Sequence, residues 1–266
     1  FTLYENDAVV FQCDKTIELL AYDQWGGVLL IPEIIAAFVT PNHPKISEVI
    51  SAASGYLKQW GKYPSFTGYQ TRNPDNVKAQ MAAIYAALQS AGIIYNSPPA
   101  SYETVGQRIR LPHIVLQQKQ GTCLDLAVLY ASCLEAVGLH PIIVIIKGHA
   151  FCGCWLEEET FADCAVDDVA ALQKRTVAGS ENILLAECTD FCAGKGINFE
   201  KALKHGKDNL LNEDEFCYAI DIQRSRGSGI RPIPLQIKKD FAAQAGQENL
   251  DPAENISAPQ ELNRTD

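Results

Sequence analysis

One segment limits the fold more than any other. Residues 122–137 read as a helix that is apolar almost all round, broken chiefly by Asp125, Ser132 and Glu135. A helix without a polar face has to be covered on every side, so it belongs at the centre of a domain. Gly138 ends it. The chain then enters two consecutive apolar runs of strand length, Pro141–Ile146 and residues 149–156, joined tightly through Lys147 and Gly148. A buried helix packed on an antiparallel hairpin predicts an α+β fold with a helix-on-sheet core.

The flanks add helices before this core and further strands after it. Short β-type runs at residues 8–13 and 16–20 end in Trp25-Gly26-Gly27. We expect residues 1–30 to be an N-terminal hairpin or the end of a preceding β domain. From Pro32 the pattern turns helical, with Ile34, Ile35 and Phe38 on one stripe. Further helices are expected over 45–60 and 73–90, the second with Asn73 as N-cap, Pro74 in the first turn and Gly92 beyond its end. After the hairpin we expect a short helix within 166–177, a strand at 183–188, a helix at 199–205 and a strand at 216–223. The central domain is thus expected over 31–235. Residues 236–266, rich in Gln, Asn, Glu and Ala, read as a linker or mobile tail. A chain beginning at Phe1 with no leader pattern reads as part of a larger protein.

Composition narrows the function classes. The formal net charge of −10 argues against a nucleic-acid surface, which needs clustered Lys and Arg. No apolar run approaches the roughly 18 residues of a membrane span, so no membrane partner is expected. The nine cysteines are an odd number, and Cys133, Cys152, Cys154 and Cys188 lie inside apolar segments. That usage fits buried thiols in a reducing cytoplasm, not a disulfide framework.

Two short motifs carry the chemistry. Gly121-Thr122-Cys123-Leu124-Asp125 sets a cysteine at the start of the central helix, where the helix dipole and open backbone N–H groups favour a thiolate. Gly148-His149-Ala150-Phe151 sets a histidine at the start of a strand, where it can serve as the base for that thiol. Strand alternation turns Cys152 and Cys154 away from His149, which sets aside a zinc site built on these three residues; no metal and no cofactor are expected. A third member must orient the imidazole. Glu187, at the end of an apolar strand, is the preferred candidate, because a buried carboxylate needs a partner. Asp163 is the alternative, with Asp167 and Asp168 behind it. Asp125 reads first as a helix-capping or salt-bridging acid. Gln117, together with the Cys123 backbone N–H, is a possible oxyanion donor, and Gln107 a weaker one.

These residues resemble the transglutaminase-like domain, a rearranged papain-like cysteine hydrolase core. The resemblance runs from the Cys123 motif through the His149 motif to Glu187-Cys188-Thr189, which stands where that family usually has Asp-Pro-Thr. The flanks, residues 65–70, 98–103 and 106–112, resemble the region N-terminal to superfamily 1 helicases in large bacterial proteins. The resemblance covers about residues 25–235. It implies a helix-Cys, strand-His, strand-acid core in which Cys123 is the nucleophile, His149 the base and acid, and Glu187 the orienter. It also implies a peptide or protein substrate, a helicase domain further along the same chain, and a role in defence against foreign DNA. No Gly-x-x-x-x-Gly-Lys-Ser/Thr motif occurs here, so any motor lies outside these residues. The competing expectation is an inactive domain of the same fold that binds a peptide or partner and regulates the attached helicase.

Overall fold

The structure, a computed structural model, describes residues 2–15, 19–96, 106–234 and 260. Part of the expected 16–20 strand, the 98–103 motif and nearly all of the expected tail lie outside the described residues. In chain order, strands β1 (Thr2–Glu5) and β2 (Ala8–Gln12) form a hairpin exposed along its whole length. Strand β3 (Gln24–Trp25) is buried, and Trp25 is part of the main core, so the packed body takes in residues ahead of 31. The helical pattern at Pro32 forms a 3-10 turn, Pro32–Phe38. Pro41 stops it from lengthening, since residues approaching a proline are driven to extended backbone; Val39 is extended.

Helix α1 (Pro44–Gln59) is capped by His43, and α2 (Pro74–Ser90) by Asn73, each with Pro at the first position. Strand β4 (Ile94–Tyr95), β5 (Gln107–Arg108), helix α3 (Pro112–Gln118) and β6 (Gln120–Gly121) lead into α4 (Cys123–Ala136). The strands β7 (Pro141–Ile146) and β8 (His149–Trp155) follow as an antiparallel hairpin, Ile146 opposite His149. Its two-residue turn needs Gly148, whose φ of +75° is left-handed. Then come β9 (Ala165–Val166), α5 (Val169–Gln173), β10 (Ile183–Ala186), α6 (Phe199–Asp208), β11 (Phe216–Asp221) and α7 (Ile222–Gly227).

The central sheet has the order β10-β8-β7-β11-β9, and its pairings are antiparallel. The fold is α+β. Both sheet faces are covered. Ala150, Cys152 and Cys154 pack with α4 and the helices around it, whereas Phe151 and Trp155 face a second core with Phe161, Leu172 and Leu210. This is why β7 and β8 read as continuous apolar runs instead of alternating ones.

Helix α4 is buried as its sequence demands, each fully buried leucine contributing on the order of 2 kcal/mol. Its polar groups have partners. Ser132 Oγ donates to Val128 O at 2.8 Å and accepts from Thr40 N at 3.0 Å, and Tyr130 Oη donates to Met81 O at 2.8 Å. Glu135 is held by Arg226 of α7, Nε to Oε1 at 2.8 Å and Nη2 to Oε2 at 2.9 Å. Arg226 also donates to the carbonyls of Ala36 and Val39, tying the N-terminal 3-10 turn to the core.

Helix α6 closes the sheet edge along β10. Gly206 lies in the middle of this helix, where glycine costs roughly 1 kcal/mol against alanine. A Cβ there would stand 2.5 Å from Leu185 O. Glycine is therefore what lets the helix rest on the strand backbone.

Candidate active site

Cys123 is the first residue of α4, and its position is fixed by the residues beside it. Thr122 caps the helix: its hydroxyl accepts from Asp125 N at 3.1 Å, and Asp125 Oδ2 accepts from Thr122 N at 2.9 Å. Asp125 also accepts from Arg110 N at 2.9 Å and Arg110 Nη1 at 3.0 Å. The carboxylate is fully buried. Burial pushes its pKa up and these hydrogen bonds pull it back, leaving it above the usual range. Asp125 thus locks the start of α4 to the loop after β5, as a cap and salt-bridge partner.

His149 opens β8 and stacks over Phe151, ring centroids 6.2 Å apart, on the sheet face away from Cys152 and Cys154. Its Nε2 lies 2.6 Å from Glu187 Oε2. The Cys123 side chain is the other polar neighbour of the ring. With Nε2 committed to the carboxylate, Nδ1 is the nitrogen that can serve the sulfur. Burial alone would lower the imidazole pKa, but the neighbouring Cys123 and the hydrogen-bonded Glu187 outweigh it, and the ring is pushed up to about 10.

Glu187 follows β10 and caps the 3-10 turn Cys188–Phe191. Only 6% exposed, it accepts from His149, from Asn209 Nδ2 at 2.8 Å and from Thr189 N at 2.8 Å. Burial raises its pKa, and the hydrogen bonds and the charge of His149 more than reverse this, holding it below the usual carboxylate range. Cys123, His149 and Glu187 are therefore brought together, with His149 hydrogen-bonded to Glu187 and neighbouring Cys123.

The other candidates stand elsewhere. Asp163 is exposed and sits just before β9, at the opposite sheet edge from β10, far along the strand order from Glu187. Asp168 caps α5 through Ala170 N. Gln117 is exposed on the last turn of α3. Gln107 pairs with Trp25 in a two-stranded ladder. Tyr95, which sequence reasoning passed over, lies beside Cys123: β4 pairs with β6, Tyr95 against Gly121, and Cys123 acts on its hydroxyl. Burial, then the neighbouring Cys123, raise the hydroxyl above its usual pKa. Asn209 and Arg110 were also missed. Their signals lie in tertiary packing alone, since an Asn at a helix end and an Arg in a loop are ordinary in sequence.

None of the nine cysteines forms a disulfide. Burial pushes the Cys133, Cys152 and Cys188 thiols up, Cys154 up to about 12 and Cys192 up to about 11. Those side chains are inert, protonated core residues. Among the described residues no His, Cys, Asp or Glu cluster is arranged to hold a metal ion, and no helix is long and apolar enough to cross a membrane. No family model, no curated protein and no solved structure matches the chain.

Proposed function

We propose that this chain is a cysteine hydrolase with a transglutaminase-like, papain-like core. One observation carries the reading: a single imidazole, His149, sits 2.6 Å from the buried Glu187 carboxylate and has the Cys123 side chain as its other polar neighbour. The order of these residues along the chain, on a central helix, a strand start and a strand end, supports the fold assignment.

In this mechanism the proton of Cys123 resides on His149, and the thiolate attacks the carbonyl carbon of a peptide or side-chain amide. The C–N bond breaks as His149 returns its proton to the leaving amine, which departs neutral and leaves a thioester on Cys123. Water then attacks the thioester carbonyl while His149 takes one of its protons. The C–S bond breaks with the electron pair going to sulfur, the proton stays on His149, and a carboxylic acid is released, restoring the starting pair. Glu187 keeps the ring oriented and stabilises the imidazolium. The Cys123 backbone N–H, at a helix N-terminus, is the oxyanion donor. An amine in place of water would give acyl transfer. The substrate is a peptide or protein, and the domain serves a helicase carried by the same larger chain.

Labelling with an electrophilic peptide probe tests the reading. The parent chain should label at Cys123, with labelling lost in Cys123→Ala and reduced at least about a hundredfold in His149→Ala. Labelling that survives Cys123→Ala, or is unchanged in His149→Ala, overturns it in favour of a binding module.

A further inference from the structure

Two acids stand within one short turn after β10, and the protein treats them in opposite ways. Asp190 is buried and meets basic side chains: His205 Nδ1 is 2.6 Å from Oδ2, and Lys195 Nζ is 3.4 Å from Oδ1. Glu187 receives from outside the triad a neutral donor only, the amide of Asn209, besides the backbone N–H of Thr189. Both His205 and Asn209 come from α6, one helical turn apart on the same face. That helix is held against β10 by Gly206, and Glu187 N donates to Ala202 O at 3.0 Å.

The choice of donor matters. A lysine or arginine on Glu187 would take up its charge and weaken its hold on the imidazolium. An amide fixes the carboxylate and leaves that charge to His149. The same oxygen, Oε2, accepts from both Asn209 and His149, so the amide also sets which oxygen faces the ring. Glutamate has one more side-chain torsion than aspartate and needs such a fixed point more.

We infer that Asn209 is a positioning residue of the proposed triad, holding Glu187 Oε2 toward His149 without neutralising it, and that α6 is the element that delivers it. This rests on the reading of Cys123, His149 and Glu187 as a thiol–imidazole–carboxylate line.

The test follows alkylation of Cys123 by iodoacetamide against pH, read on the Cys123 peptide by mass spectrometry. The parent should show a reactivity plateau whose upper edge is set by His149. Asn209→Ala should lower that upper edge by about one pH unit, a tenfold change in the imidazole equilibrium. Asn209→Leu, close in volume but without the amide, should do the same, and both should melt within a few degrees of the parent. If either folded variant keeps the parent's plateau, Asn209 is not a positioning residue and the triad reading stands. If the parent itself shows no plateau and Cys123 alkylates like an ordinary thiol, the triad reading fails and this inference with it.

Discussion

His149 is the residue on which the site turns, because its two neighbours act on it in the same direction. Cys123 and Glu187 both favour the imidazolium, and together they overcome the burial that opposes it. The ring therefore carries its proton through neutral pH. Glu187→Gln removes the carboxylate charge while keeping size and shape. NMR titration of His149 should then show its pKa falling by about one to three pH units. The sign of the stability effect follows from the same pair. His149, raised from 6.5 to about 10, gives stability that is complete below about pH 6.5 and is lost as pH rises through 10. Glu187, held below its ordinary 4.5, gives stability present above that value and lost as pH falls through its lower folded pKa. These are two views of one interaction, so parent and Glu187→Gln should differ most in denaturant stability between about pH 4.5 and 6.5, with the gap narrowing toward pH 10. A flat difference across that range would show that the pair is not charged.

Among elements, α4 has the largest task, since it fills the core and presents Cys123 at its first position. Its N-terminus is held by Asp125 more than by any apolar contact. Asp125→Ala leaves Arg110 without its buried partner and Thr122 N without an acceptor, and should cost about 3–5 kcal/mol in urea unfolding. Asp125→Asn, which keeps one acceptor oxygen, should cost less. The element pattern was largely legible in the sequence because α4, β7 and β8 have one reason to exist, complete burial. Asn73, Pro74 and Gly148 likewise mark boundaries through local chemistry that tertiary contacts leave in place. The 183–188 strand is shorter than expected, ending at Ala186, because Glu187 turns the chain by capping Thr189 N. The 216–223 strand gives way to α7 at Ile222, where Asp221 caps Arg224 N. Helix α3 and the short β3–β5 and β4–β6 ladders carry too few residues for any period to show.

At the scale of the molecule, an antiparallel sheet between two cores brings the end of β10, the start of β8 and the start of α4 to one place. Cys123, His149 and Glu187 could be named from sequence because each sits at an element boundary with an apolar run behind it. Asn209, Tyr95 and Arg110 could not, because what makes them matter is a neighbour from a distant part of the chain. The exposed β1–β2 hairpin stands apart from this arrangement and carries an internal standard close to it, the exposed Cys13. Cys13 is exposed and Cys123 half-buried, so accessibility alone favours Cys13. The most direct measurement is competitive alkylation of the two in one sample at pH 6, with limiting iodoacetamide and site-resolved mass spectrometry. If His149 holds the proton of Cys123, Cys123 is modified at least about tenfold faster than Cys13, and His149→Ala abolishes the advantage. If Cys13 reacts as fast or faster in the parent chain, Cys123 is an unactivated thiol and the proposed hydrolase does not exist.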